Sequence, residues 1–167
     1  MIVEILVILA LMAADFPFTV APSVAWGLSL GLSAFQLGVL YLCATLVSCT
    51  VYFFMLRKYA KKFKAYHVIG KYKQKGDFYS VFLANMLAHN FDASAAAAAN
   101  KVGFPVAMAA LLASNAIYFV TVWLLVALVI ALVSGLLAQV VASAVLVAAV
   151  WTLAAHFVLY KLGFGWR

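Results

Sequence analysis

Three long stretches of this 167-residue chain contain no charged side chain, and they restrict the fold more than any other feature. They cover residues 34–56, 104–134 and 136–160. A helix of about 20 apolar residues crosses the hydrocarbon core of a bilayer, so each stretch predicts a transmembrane helix. Apolar residues make up 69% of the chain and charged residues 9%, which excludes a soluble globular domain. We therefore expect an all-α integral membrane protein with a single membrane domain, 1–167.

The N-terminal region is also apolar, but it is interrupted before either half reaches the length of a spanning helix. The first run has 13 residues and stops at Asp15, and Pro17 and Pro22 each lack the backbone donor that a helix needs. We expect a turn there, because proline also disfavours helix in the residue before it. Residues 1–33 therefore predict a re-entrant hairpin, which enters and leaves the membrane on one side with Asp15 near its tip.

The same order of features returns in residues 78–102. A short apolar run is interrupted by His89, Asn90 and Asp92, and a segment rich in small residues follows. We expect a second re-entrant hairpin here, because neither half is long enough to span. The predicted fold thus has hairpins at 1–33 and 78–102, a spanning helix after each at 34–56 and 104–134, a C-terminal spanning helix at 136–160 and a basic loop at 57–77.

Most of the basic residues lie in that loop. Eight of the eleven lysines and arginines fall between positions 57 and 75. Such clustering beside an apolar run marks the cytoplasmic side of a membrane, and each basic residue near the surface contributes about 1 kcal/mol to the attraction of anionic lipid. Apolar residues alternate with the lysines, which favours an amphipathic segment lying partly on the bilayer. The predicted membrane-surface residues are Arg57, Lys58, Lys61, Lys62, Lys64, Lys71, Lys73 and Lys75.

The few remaining charges indicate whether residues 78–102 cross the membrane. If they cross, Lys101, Lys161 and Arg167 fall outside the cell, against the positive-inside rule. If they re-enter, all three stay inside. We therefore predict a protein of the cell membrane with its basic loop and C-terminus in the cytoplasm. The two hairpins then enter from opposite sides, and such inverted repeats place the site of many transporters near the bilayer midplane.

Two carboxylates, Asp15 and Asp92, lie in the most apolar parts of the chain. An ionisable group at membrane depth costs several kcal/mol unless the fold uses and shelters it, so both are candidates for a substrate or ion pathway. The alternative is that each caps a helix at an aqueous interface, and Asn90 is a further cap candidate before the alanine-rich run. The predicted pathway residues are Asp15, Asn85, His89, Asn90, Asp92, Ser94 and Asn100.

Three segments carry a resemblance to a known family. Residues 21–29 contain a proline and end in small residues, residues 52–59 end a helix with aromatic and basic side chains, and residues 78–85 open on aromatic side chains. In this order the chain resembles the DedA/VTT superfamily over residues 10–134. The resemblance implies transport or scrambling of phospholipids or polyprenyl phosphates. Val24 stands where the family usually has a glutamate, and no arginine follows residue 78 before the C-terminus, where the family has arginines around its second tip.

We therefore expect a membrane transporter or scramblase for a lipid or polyprenyl-phosphate-like substrate, with proton coupling through the two carboxylates. One alternative is a substrate-binding membrane subunit of a multi-component uptake transporter, which relies on a separate ATPase. Another is a membrane scaffold protein whose basic loop docks a partner.

Other classes of function have little support in the sequence. No Walker or GxGxxG phosphate motif occurs, and the histidines and cysteines are not spaced as metal ligands, so we expect no enzyme activity, no cofactor and no metal. Clustering of the basic residues beside an apolar run argues against a nucleic-acid partner. A chain this short leaves its hairpin tips to be shielded by a second copy, which predicts a homo-oligomer.

Overall fold

The structure is a computed structural model that describes residues 2–14 and 17–161. Within these residues it is helical and contains no strand. The α-helices are α1 (Ile2–Ala14), α2 (Pro17–Ser29), α3 (Ala34–Met55), α4 (Lys64–Tyr72), α5 (Asp77–Leu87), α6 (Asn90–Ala99), α7 (Phe104–Leu132) and α8 (Leu136–Lys161). Two short 3-10 helices, Arg57–Lys62 and Lys73–Lys75, flank α4.

The three predicted spanning helices are confirmed as helices long and apolar enough to cross a membrane, namely α3, α7 and most of α8. A capping box begins α3: the Gln36 backbone amide donates to the Ser33 hydroxyl, and the Ser33 amide donates to the Gln36 side chain. The 29 residues of α7 measure about 44 Å at 1.5 Å per residue, so this helix is longer than a bilayer core of about 30 Å.

The prediction of a turn that includes Pro17 and Pro22 is wrong. Helix α2 begins at Pro17 and continues through Pro22 to Ser29. Proline suits the first position of a helix because the amide it lacks would have no partner there. Inside the helix Pro22 removes one backbone hydrogen bond, and the fold accepts this loss. Helix α1 ends at Ala14 and α2 begins at Pro17, and the predicted hairpin tip at Asp15 lies outside the described residues.

The basic segment 57–77 is mostly helical, and α4 within it packs against other helices of the protein. Ala65, Val68 and Ile69 lie on one face of α4 and are fully buried, because α5 and α6 pack against that helix. The interpretation that this apolar face lies on lipid is therefore wrong for these residues. Lys64 and Lys71 of the same helix are exposed.

The chain divides into two compact units. Unit 1 contains residues 1–44 and 118–167, and α1 and α2 pack together in it. Its core includes Ile8, Met12, Val24, Leu37, Tyr41 and Val126. Gly27 lets α2 approach α3 closely, since a Cβ atom there would lie 2.4 Å from Leu37 Cδ2.

Unit 2 contains residues 45–117 and holds α4, α5 and α6 together with the adjoining ends of α3 and α7. Helix α6 forms its centre and packs against α4, α5 and the 3-10 helix Arg57–Lys62. Alanine favours helix, and its small side chain allows neighbouring elements to approach closely. Five alanines of α6 are fully or almost fully buried: Ala93, Ala95, Ala96, Ala97 and Ala98.

Candidate functional site

Unit 2 contains a buried group of amide and hydroxyl side chains between the α5–α6 pair and α7. Asn85 on α5 donates through Nδ2 to the Ser114 hydroxyl on α7, at 2.7 Å. Both residues are buried, and the Ser114 hydroxyl also lies within hydrogen-bond distance of the Leu111 carbonyl of its own helix, at 2.9 Å. The other polar atom of the Asn85 amide, Oδ1, is buried and accepts no hydrogen bond within the described part of the chain.

A reciprocal amide pair lies one residue further along α7. Asn90 Nδ2 donates to Asn115 Oδ1 at 3.1 Å, and Asn115 Nδ2 donates to Asn90 Oδ1 at 2.6 Å. Asn115 Nδ2 also contacts the Leu111 carbonyl at 2.8 Å. The two amides satisfy each other in a buried environment, where an unpaired amide would cost about 1–3 kcal/mol. This pair holds the start of α6 against α7.

Asp92 lies in the first turn of α6, where the helix dipole favours a negative charge. Its Oδ1 atom is buried and accepts no hydrogen bond from the residues that the structure describes. Burial raises the pKa of the Asp92 carboxyl to about 6. An acid of this kind changes its charge in the physiological pH range, and its unpaired oxygen can receive a proton, a cation or a donor group of a ligand.

In the structure, neither Asn90 nor Asp92 is the N-cap residue of α6. His89 occupies the N-cap position of α6, and its side chain makes no capping hydrogen bond. Asn90 and Asp92 are inside the first turn instead. His89 stacks on Phe91, with 5.9 Å between ring centroids, and burial lowers the pKa of the His89 imidazole. The rings of His89 and Phe91 therefore lie together at the break between α5 and α6.

Two predicted pathway residues have other roles in the structure. The Ser94 hydroxyl donates to the Asn90 carbonyl of its own helix at 2.5 Å. Asn100 lies at the opposite end of α6, about 15 Å from Asn90 at 1.5 Å per residue. There it donates to the Tyr66 carbonyl at 3.3 Å, and its own carbonyl accepts from Lys73. The structure therefore brings Asn85 and Asn90 to one region of α7, but Asn100 is not among them.

The α7 partners of this group, Ser114 and Asn115, are not among the pathway residues predicted from the sequence. A signal was present, because Asn115 is the only asparagine in the uncharged stretch 104–134. A carboxamide in the middle of a spanning helix predicts a polar partner on another element.

One match to the pattern Gly-x-Ser-x-Gly occurs at residues 27–31. In α/β-hydrolases this pattern places a nucleophilic serine on a sharp turn between a strand and a helix. Here Ser29 ends helix α2, and its hydroxyl donates to the Trp26 carbonyl at 2.7 Å. The local structure is therefore not that of a nucleophile elbow.

The predicted surface residues are mostly exposed, and several have specific contacts, among them Lys71 and Lys75 with the Tyr72 ring. Lys73 donates to the Asn100 carbonyl and lies 3.9 Å from an oxygen of Asp77. Lys58 lies over the Tyr59 ring, with 5.0 Å between Nζ and the centroid. Lys73 thus binds the C-terminal end of α6, where the helix dipole favours a positive charge.

The segments that carry the family resemblance lie in α2, at the end of α3 with the following 3-10 helix, and in α5. No three His, Cys, Asp or Glu side chains come together as metal ligands in residues 2–14 and 17–161. Comparisons with protein-family models, with curated proteins and with solved structures found no match to this chain.

Proposed function

We propose that this protein is a membrane transporter or scramblase in which the α5–α6 pair is a re-entrant hairpin and Asp92 exchanges a proton during the transport cycle. The proposed substrate class is a phospholipid or polyprenyl phosphate, as the resemblance to the DedA/VTT superfamily implies. One observation carries the proposal: the Asp92 Oδ1 atom is buried and accepts no hydrogen bond from any described residue.

Helix lengths support the re-entrant arrangement. The 11 residues of α5 and the 10 residues of α6 measure about 16 Å and 15 Å. Neither helix reaches the thickness of a bilayer core, about 30 Å. A break in a helix at membrane depth is tolerated where protein covers it, and the Asn90–Asn115 pair attaches this break to α7.

The hydrogen bonds around α5 and α6 favour a site that binds a proton, a cation or a hydrogen-bond donor. Asn90 and Asn115 occupy each other, so these amides serve to hold the helices together. On α5 and α6, two buried acceptor atoms remain without donors among the described residues, Asn85 Oδ1 and Asp92 Oδ1. Leaving such atoms unpaired costs about 1–3 kcal/mol each, which a purely structural hairpin would avoid with apolar side chains. A proton or a cation supplies what these acceptors lack.

Proton exchange follows from the environment of Asp92. Its pKa of about 6 means that the carboxyl is mostly protonated at pH 5 and mostly ionised at pH 7. The neutral form is favoured where protein and lipid exclude water, and the ionised form is favoured where water enters. A cycle that alternately opens and closes the α5–α6 region therefore takes up and releases one proton at this residue.

The test uses the purified protein in liposomes with fluorescent NBD-labelled phosphatidylglycerol and external dithionite. Dithionite bleaches only outer-leaflet lipid, so continued bleaching reports transbilayer movement. We expect the wild-type rate to change with a midpoint near pH 6, as the pKa of Asp92 requires. Asp92→Asn cannot exchange a proton, and we expect it to abolish this pH dependence and most of the movement.

Asp77→Asn is the matched control. Asp77 lies in the first turn of α5 beside Lys73, away from the unpaired acceptors, and should retain the rate and the pH profile. Full activity of Asp92→Asn with an unchanged profile would contradict the proposal and, with Asp15→Asn added, would favour the scaffold alternative. Absence of lipid movement in the wild type together with a copurifying ATPase would favour the binding-subunit alternative.

A further inference from the structure

Two adjoining cavities lie where α3 ends and α7 begins. The first has a volume of about 310 Å³ and is lined by three phenylalanine rings with Arg57 and Lys101. The second has a volume of about 410 Å³ and is lined by Phe54 and Met55 with three basic side chains. Phe54 and Arg57 line both cavities, and the two cavities together are called the recess.

The charged side chains of this recess are all cationic. They are Arg57, Lys58, Lys61 and Lys101, and no carboxylate is among the described residues that line either cavity. The ends of two elements that are distant in sequence supply them. A guanidinium and ammonium groups arranged in this way form strong charge-assisted hydrogen bonds to phosphate oxygens.

Beside the cations lies an apolar wall. The Phe54 ring stacks on Phe104 with centroids 5.4 Å apart, and Phe53 meets Phe104 edge-on at 5.3 Å. Phe54 and Met55 are 66% and 69% exposed. Both end α3, which is long and apolar enough to cross a membrane, so a bilayer around α3 would meet these apolar side chains and leave the cations on the aqueous side. A ligand that fits both parts is amphiphilic.

Lys101 is in a backbone conformation that lysine does not favour. Its φ is 59°, in the left-handed region, and it is the only non-glycine residue with positive φ among the described residues. It ends α6 in a Schellman arrangement, in which the Lys101 amide donates to the Ala98 carbonyl and the Val102 amide to the Ala97 carbonyl. Glycine is the usual residue at this position. A lysine here places a cation in the recess at the expense of backbone strain.

We propose that this recess binds the phosphate headgroup of an anionic membrane phospholipid. Arg57 and Lys101 hold the phosphate oxygens, and the acyl chains lie along Phe54 and Met55 towards the bilayer. The site is separate from Asp92 and the α7 amides, and it binds the lipid whether or not the protein transports it. The inference therefore does not depend on the proposed function.

The test is native mass spectrometry of the detergent-purified full-length protein, which counts individual bound lipids. The probes are phosphatidic acid, phosphatidylcholine with the same acyl chains, and inorganic phosphate. We expect phosphatidic acid to bind most tightly. Arg57→Gln and Lys101→Gln should each weaken its binding about fivefold, and the double variant should weaken it about 25-fold.

Lys101→Gly separates binding from folding. Glycine relieves the positive φ, so this variant should melt at a higher temperature than the wild type and still bind phosphatidic acid more weakly. Lys62→Gln removes the same charge from an exposed neighbouring residue that does not line the recess, and it should change the affinity less than twofold, about the error of the method.

Four results would overturn the inference. Equal weakening by Lys62→Gln would show a diffuse basic surface in place of a site. Equal binding of phosphatidylcholine, whose phosphate charge is balanced by a choline cation, would show that the net negative charge of the headgroup is not recognised. Competition by inorganic phosphate at the concentration of phosphatidic acid would show a site for free anions without a lipid component. An unchanged affinity of Lys101→Gly would remove Lys101 from the site.

Discussion

At the residue scale, the reciprocal bond between Asn90 and Asn115 is the clearest polar contact between separate helices in unit 2. Each amide is buried and offers its partner one donor and one acceptor. Water cannot replace a lost partner easily at such a position, so removing one amide leaves the other buried and unpaired, a cost that removing both avoids. The effects of the two substitutions on the free energy of unfolding should therefore not be additive.

We expect Asn90→Leu and Asn115→Leu each to destabilise the protein by about 1–2 kcal/mol, because each leaves the opposite amide unpaired. The double variant should lose less than the sum of the two, with a coupling energy of about 0.5–2 kcal/mol. Unfolding in mixed micelles of increasing SDS content measures the free energies. Gln74→Leu, at an exposed amide, is the control and should change stability by less than about 0.5 kcal/mol. Strict additivity would contradict the structure.

At the scale of elements, uncharged length was enough to identify α3, α7 and α8, because apolar helices of this length have one stable environment. The patterns near Pro22 and in α4 were less informative. A proline lowers the stability of a helix, but packing of α2 against α1 and α8 offsets the loss. Periodicity identified the apolar face of α4, but the same face can pack on lipid or on protein, and the tertiary structure decides between them.

The polar partners of the candidate site were hidden for a related reason. Asn85 and Asn90 were evident from their place near a break in a short apolar segment. Their partners Ser114 and Asn115 lie 29 and 25 residues away, and only the packing of α7 brings them together. Sequence alone indicates that a buried amide needs a partner, but it does not indicate which residue supplies it.

Close packing of α2 on α3 makes a second prediction. A side chain at Gly27 would meet Leu37, which is fully buried and has little room to move. We expect Gly27→Val to destabilise the protein by about 1–3 kcal/mol, measured as in the Asn90 experiment. Leu37→Ala makes space for the new side chain, so Gly27→Val should cost less in that background.

Gly103→Val is the matched control for this helix contact. A Cβ atom at Gly103 has no neighbour within 4 Å, so the same substitution should cost far less there than at Gly27. Equal costs at the two glycines, or no relief by Leu37→Ala, would show that Gly27 is not needed for the approach of α2 to α3.

At the scale of the whole molecule, a pair of short helices precedes a long apolar helix twice along the chain, as α1–α2 before α3 and as α5–α6 before α7. Each compact unit contains one of these pairs. The proposed topology gives the pairs opposite directions of entry, so that the loop after α6 stays on the cytoplasmic side. A pair that crossed the membrane would place that loop outside, and labelling from each side distinguishes the two.

Gly103 is the best place for a reporter cysteine in the loop after α6. It is exposed, its φ is not positive, and nothing lies within 4 Å of a new Cβ atom. In a background without Cys43 and Cys49, we expect Gly103→Cys to react with a membrane-impermeant maleimide only after the cells are opened. This result follows if Lys101 remains on the side of the basic loop, as the positive-inside rule requires.

Two further cysteines calibrate the sides of the membrane. Lys58→Cys, in the basic segment, should behave like Gly103→Cys, and Ser134→Cys, in the exposed loop between α7 and α8, should react in intact cells. Reaction of Gly103→Cys but not of Ser134→Cys in intact cells would show that the α5–α6 pair crosses the bilayer, because α7 would then return Ser134 to the cytoplasm. That outcome would remove the re-entrant hairpin from the proposed function but would leave the Asn90–Asn115 contact unaffected, because that contact depends only on packing within unit 2.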